Sequence, residues 1–290
     1  MLTEVRGLLG PAGLADPADV AAVTPLPRGC VSDASLVRLR SGAQLVVKTA
    51  PQAPDGMFAA EAAGLEAIGK HVRAPAVLGA GPSWLALEAL GPCPDGPAEL
   101  FWAEAGRRVA GLHQVTGERY GWPMDNWLGR LPQRNAWSDD GHEFFANHRI
   151  LRYLDEPKVA ETLRPATRRA LERICDRLPE LTPASPPVLT HGDLWRGNTL
   201  SADGQPAFID PAVCWMWAET DISMMYCTAE LAAPPVFFAA YNEVRPLAAG
   251  WQQWMPILHL REHLSMVAHF GALPRTLDAM DQVTRPFLTR

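Results

Sequence analysis

The chain has 290 residues, 48% of them hydrophobic and 20% charged, enough to bury a sizeable core. Its net charge of −6 supplies no basic footprint for nucleic acid, which makes a nucleic-acid partner unexpected. Five cysteines (Cys30, Cys93, Cys175, Cys214 and Cys227) form no C-x-x-C pair, so neither a disulfide framework nor a cysteine zinc site is expected and a reducing cytoplasm fits.

The first twenty residues, MLTEVRGLLGPAGLADPADV, carry Glu4 early and hold no long apolar run, so no signal peptide is expected. Two β-prone runs follow, Leu36–Arg40 and Leu45–Thr49, with Ser41-Gly42 as a hairpin turn. Met57–Lys70 reads as a helix, and Ala76–Leu78 and Trp84–Leu90 as strands. After Pro97 the pattern predicts helices at Ala98–Thr116, His142–Leu154, Lys158–Leu178, Glu219–Leu231, Pro235–Val244, Trp251–Phe270 and Pro274–Phe287. Short β-prone runs interrupt them at Val188–Thr190 and Ala207–Ile209. The expected class is α+β, with a small β-rich N-terminal lobe over 1–90 and a larger, mostly helical lobe over 91–290. A cleft between unequal lobes is a common ligand site. The longest stretch without a charged residue, Pro246–Leu260, is too short to span a bilayer.

Four groups of polar residues call for an explanation. Lys48 closes the apolar run LVVK, where a lysine alone reads as a surface group at a strand end. Glu61 shares the apolar face of its helix with Phe58, Leu65 and Ile68. A carboxylate there needs a partner, and Lys48 is the natural one. His191, Asp193 and Asn198 make H-x-D-x-x-x-x-N inside VLTHGDLWRGNTL, and Asp210 ends the next strand-like run, PAFID. In phosphoryl transfer of the kinase type, the Asp orients or accepts the hydroxyl proton and the Asn holds Mg²⁺. Asp210 stands where a second metal carboxylate is needed, and such oxygen ligands suit Mg²⁺. Taken singly, each of these residues is equally an Asx turn or helix cap.

HGDLWRGN followed by FIDPA resembles the signature of the fructosamine (ketosamine) kinases, relatives of the aminoglycoside and choline kinases. YGWPMDNWLGRLPQRNAW with FFANHR, MFAAEAAGLEAI, and the segment from His263 ending VAHFG extend the resemblance over residues 25 to 290. The resemblance implies a two-lobed protein-kinase-like fold and ATP-dependent phosphorylation of a sugar hydroxyl, O3, on a ketosamine, with a role in protein deglycation. It makes Asp193 the catalytic base and Asn198 and Asp210 the Mg²⁺ ligands. Lys48 would meet the ATP phosphates and Glu61. The backbone of Glu88, Ala89 and Leu90 would take adenine, and the loop at Gly29 would cover the phosphates. Gln133, Asn135 and Trp137, with Trp195 and Trp217, would shape the sugar side.

The chain departs from the family pattern twice. RGCVSDAS has the single glycine Gly29 rather than G-x-G-x-x-G, and Met216-Trp217 stand where the family has Gly-His. Glu219 and Asp221 remain; either braces the loop or opens a helix. Cys30 lies in the nucleotide loop, where its oxidation would hamper ATP binding unless the thiol is half-buried and inert.

Other readings stay open. His259-Leu260-Arg261-Glu262-His263 matches H-x-x-E-H, a zinc-protease pattern that needs a third ligand from elsewhere. A nucleotide-binding pseudokinase would be expected to lack one of the five matched residues. An aminoglycoside or choline-type acceptor would keep the chemistry and change only the substrate. The acceptor amine, free or protein-bound, and the oligomeric state are not legible.

Overall fold

A computed structural model describes residues 2–27, 32–95, 98–228 and 232–288. It begins with helix α1, Leu2–Leu9, and strands β1, Val20–Pro25; β2, Asp33–Leu39; and β3, Gln44–Thr49. Helix α2, Met57–Ile68, and strands β4, Val77–Gly81, and β5, Trp84–Glu88, follow. The five strands form one antiparallel sheet in the order β1-β2-β3-β5-β4. The expected turn joins β2 to β3 at Gly42, whose φ of 89° suits glycine. Along β3 the side chains alternate. Leu45 and Val47 enter a small core with Val5, Leu9, Val20, Val37 and Ala86, while Val46 and Lys48 face the other way, toward α2 and the main core. The sequence reading missed α1 and β1.

The connection out of the sheet is pinned. Gly91 and Ser201 exchange both backbone hydrogen bonds, at 2.8 and 2.9 Å. The helical part then comprises α3, Glu99–Leu112; a hairpin of β6, Asn126–Leu128, and β7, Leu131–Gln133; α4, Gly141–Phe145; α5, Pro157–Thr162; α6, Pro165–Asp176; and α7, Leu178–Leu181. Next come β8, Val188–Thr190; β9, Thr199–Ala202; β10, Gln205–Phe208; and β11, Cys214–Met216. Helices α8, Ala218–Cys227; α9, Pro235–Val244; α10, Met255–Leu258; α11, Leu260–Phe270; and α12, Pro274–Thr284 complete it. Helices α3 and α9 pack closely because Gly106 has no side chain: a Cβ there would lie 2.2 Å from the Phe237 carbonyl oxygen.

Three expected helices are broken. Lys158–Leu178 divides at the extended pair Leu163-Arg164, because Pro165 cannot continue a helix and starts a new one. Trp251–Phe270 divides into a 3₁₀ turn, α10 and α11, with Pro256 at the start of α10. His142–Leu154 passes through a π turn at Ala146–Ile150 and a 3₁₀ turn. The hairpin β6–β7 was unforeseen. Among the described residues no helix is long and apolar enough to cross a membrane.

Candidate functional site

Strand β8 delivers the chain to His191, and the turn that follows exists only because residue 192 is glycine. Its φ is 78°, and a Cβ would lie 2.0 Å from the Ala212 carbonyl oxygen. The loop is anchored from below by Asp221, in the first turn of α8. One carboxylate oxygen accepts from the His191 amide at 2.7 Å, and the other from the Gly192 amide at 2.9 Å. Nε2 of His113 lies 3.1 Å from the first oxygen, and Nδ1 of His113 lies 2.8 Å from the Tyr241 hydroxyl. Asp221 is 1% exposed. Burial alone would raise its carboxyl, but the His113 hydrogen bond and charge, with His191 and the Gly192 amide, hold it below the ordinary value. Of the two roles open to Asp221, bracing the loop is the one its contacts express. Glu219 instead accepts from the Ser185 hydroxyl at 3.3 Å.

Asn198 ties the far end of the loop to Asp193. Its Nδ2 donates to the Asp193 carbonyl at 2.8 Å and to the Asp193 carboxylate at 2.9 Å. That orientation leaves its amide oxygen as an acceptor, as a cation ligand requires. The Ile209 amide donates to the Asn198 carbonyl at 3.0 Å, which brings the end of β10 alongside. Asp210 then adopts φ 57°, rare for a residue with a Cβ.

From the sheet, Lys48 Nζ donates to Glu61 at 2.5 Å and to Asp210. Burial lowers the tendency of Lys48 to hold its proton, but Asp210 and Glu61 outweigh it and keep the ammonium above the ordinary lysine value. The Asp210 side chain is 42% exposed, so one flank stays open to solvent. Asp193 is half-buried. Its carboxyl is pushed up to about 8, first by burial, then by the charge of Glu262, with Arg261 opposing. Lys48, Glu61, Asp210, Asn198 and Asp193 therefore form one continuous constellation built from β3, α2 and the loops around β9 and β10.

Other expected residues are placed differently. The Glu88 side chain is taken up by Arg73 and by the Ala76 amide at 3.1 Å. Ala89 and Leu90 follow β5 outside its ladder. Gly29 and Cys30 lie outside the described residues. Trp195 is half-buried beside Asp193, its ring over Gly197. Trp137 is 43% exposed on an open groove of about 450 Å³ with Asp139, Asp140 and Glu143. Trp217 corrects the expectation of a sugar-facing residue: it is buried against Tyr120, His142 and Phe145. Met216 is buried as well, so the replacement of Gly-His repacks the core beneath the loop.

Gln133 and Asn135 are also buried, and both are engaged by the protein itself. Gln133 donates to Asn126 Oδ1 at 2.9 Å and to the Ala212 carbonyl at 3.2 Å, and it accepts from Arg261 at 2.9 Å. Asn126 in turn donates to the Val213 carbonyl at 2.8 Å. Asn135 accepts from Arg149 at 2.7 Å and donates to the Met124 carbonyl at 3.1 Å. These amides frame the site from behind. Sequence reasoning missed His113, Tyr241, Asn126 and Arg149. His113 and Tyr241 act across 108 to 128 positions of chain, a separation no local pattern reports. The zinc-protease pattern dissolves. His259 and His263 meet edge to face, burial lowers them to about 3 and about 4, and no group of three metal-ligating side chains exists among the described residues.

The sequence profile of the fructosamine kinase family matches residues 12–285. A probable ketoamine kinase of Synechocystis is 33% identical over 74% of each chain. A chloroplastic protein-ribulosamine 3-kinase of Arabidopsis thaliana is 28% identical over 84% of this chain and 76% of its own. A crystal structure of a candidate fructosamine-3-kinase from Thermobifida fusca superposes with a TM-score of 0.82 at 34% identity, covering 92% of this chain and 94% of the other.

Proposed function

This chain belongs to the fructosamine kinase family, and from that premise we propose that it transfers the γ-phosphoryl group of ATP to a sugar hydroxyl of a ketosamine. The observation that carries the reading is the convergence of Lys48, Glu61, Asp210, Asn198 and Asp193. The fold, a sheet-rich part joined to a helical part, is that of the kinase-like phosphotransferases. In this reading residues 1–90 form the nucleotide lobe and 91–290 the catalytic and acceptor lobe. The backbone of Glu88, Ala89 and Leu90 would take adenine.

Asp193 accepts the proton of the attacking hydroxyl and holds that oxygen in line with the phosphoryl group. Asn198 Nδ2 fixes the carboxylate for that task. Lys48 holds the phosphates while Glu61 keeps its ammonium aimed. Asn198 and Asp210 are the residues that would hold Mg²⁺ through their oxygens, and the ion would supply neutralisation of phosphate charge. Trp195, on the rim of the loop, lies against the sugar. The name of the Arabidopsis relative favours O3 as the acceptor atom. Protein deglycation in the cytoplasm is the corresponding physiological role.

The test is ATP consumption with Mg²⁺ against fructose-, ribulose- and erythrulose-derived lysines, one aminoglycoside and choline, with Asp193→Asn as control. Asp193-dependent turnover of a ketosamine is expected. Turnover of only the aminoglycoside or choline would keep the mechanism and replace the substrate. Silence on all, with ATP bound, would favour a pseudokinase.

A further inference from the structure

Asp210 has a φ of 57°, a value that a residue with a Cβ keeps only where its surroundings impose it. On its near side the chain is tied by the Ile209 amide, which donates to the Asn198 carbonyl at 3.0 Å. On its far side Pro211 has no amide hydrogen to give, so the first anchors fall at Ala212 and Val213. The Ala212 amide donates to the His191 carbonyl at 2.8 Å. The carbonyls of both residues are taken by side chains from the hairpin β6–β7. Gln133 Nε2 donates to the Ala212 carbonyl at 3.2 Å, and Asn126 Nδ2 to the Val213 carbonyl at 2.8 Å. Asn126 and Gln133 stand opposite each other in the hairpin ladder, which puts them on one face. Gln133 Nε2 also donates to Asn126 Oδ1 at 2.9 Å, so the two buried amides act as one unit. That unit is braced on α11 at two points. Arg261 donates to Gln133 Oε1 at 2.9 Å, and at the hairpin tip the Arg130 amide donates to His269 Nε2 at 2.9 Å.

We propose that Asn126 and Gln133 are positioning residues for Asp210: the hairpin, braced on α11, clamps the chain beyond Pro211 and so fixes the aim of the Asp210 carboxylate toward the cation of the phosphoryl-transfer site. This inference rests on the Mg²⁺-dependent kinase reading above and deepens it. The two amides act through the backbone of Ala212 and Val213, without a hydrogen bond to Asp210 itself. When their donors are lost, the strained residue is free to relax, and its carboxylate turns with it. Asp193 is held by other means, through Asn198 and through the Asp221 contacts to His191 and Gly192. The clamp therefore governs the requirement for the cation rather than the proton transfer.

The experiment titrates free Mg²⁺ on the full chain at saturating ATP and a lysine ketosamine. In Gln133→Met, which keeps the length of the side chain and removes its hydrogen bonds, the half-saturating Mg²⁺ concentration is expected to rise roughly 3- to 10-fold, the range for a lost ordinary hydrogen bond. The kcat at saturating Mg²⁺ and the KM for the ketosamine are expected to stay nearly unchanged. Asn126→Leu is expected to act in the same direction and covers the case in which Gln133→Met fails to fold. In the protein without nucleotide or metal, amide hydrogen exchange at Ile209 and Ala212 is expected to quicken in both variants. Gly106→Ala, which loosens α3 from α9 away from the site, is the control for lost stability and should leave both readouts at their wild-type values. Unchanged Mg²⁺ dependence in both variants would overturn the proposal, as would changes no larger than those in Gly106→Ala. A fall in kcat with the Mg²⁺ dependence intact would place the effect on Asp193 and overturn it as well. Wild-type turnover of no acceptor at any Mg²⁺ concentration would instead remove the kinase reading and this inference with it.

Discussion

Lys48 and Asp221 are both buried charges with several partners, yet the two regions that hold them are built for opposite purposes. Lys48 is held by side chains alone, Glu61 and Asp210, whose exposures are 18% and 42%. Asp221 is held by two backbone amides and His113 in a site closed to solvent. In the proposed function the first arrangement would exchange partners when phosphates and a cation arrive. The second cannot move without unmaking the loop. The sheet side of the site is therefore adjustable and the helical floor is fixed, which is what positioning catalysis requires.

Substitutions can break or sharpen that contrast. Asp193→Asn, which removes the proposed base on the fixed side, is expected to lose about 10²- to 10⁴-fold in turnover while ATP binding persists. Full activity in that variant would remove the base. Lys48→Met is expected to lose about 10²- to 10³-fold in turnover, as for a lost charge-stabilising donor. Its stability in urea should fall less than that of Asp221→Ala, because both orphaned carboxylates reach water. Asp221→Ala leaves two amides and His113 without their acceptor, and about 3 kcal/mol of stability should go with it. If Lys48→Met proves the more destabilising of the two, the contrast is wrong. Gly106→Ala should cost about 1–3 kcal/mol by forcing α3 from α9 without touching the site.

The smallest effect is in pH dependence. Asp221 has its folded carboxyl below the unfolded value of about 3.9. Its contribution is therefore complete above that value and fades as pH falls through the lower folded one. Acid unfolding followed by circular dichroism should show a shallower fall below about pH 4 in Asp221→Asn than in the wild type.

The sequence made one half of this contrast legible and concealed much of the other. Lys48, Glu61, Asp193, Asn198 and Asp210 fall into short, spaced patterns whose chemistry restricts residue type, and the structure brings all five together. Pro235–Val244 and Val188–Thr190 matched the expected bounds because proline and the apolar run mark their ends locally. The floor is different. His113, Tyr241 and Gln133 work through contacts distant in sequence, and an isolated histidine or glutamine in a string of letters says nothing about its partner. Trp217 was misread for the same reason: an aromatic beside a catalytic motif looks available, while its burial is decided by Tyr120, His142 and Phe145 from elsewhere in the chain.

The reciprocal Gly91–Ser201 bridge sets the mechanics of the cleft. It nails the connector to the strand that leaves Asn198, so it acts as a pivot pin rather than a tether. Any rocking of the sheet over the helices turns about that pin, and displacement grows with lever arm. The backbone at Ala89 and Leu90 lies next to the pin and travels little, whereas the other end of β5, where Trp84 pairs with Thr49, lies farther along the lever and travels more. Adenine would then be gripped at the still centre of the motion, and the outer sheet would swing while its occupant stays in register with Asp193.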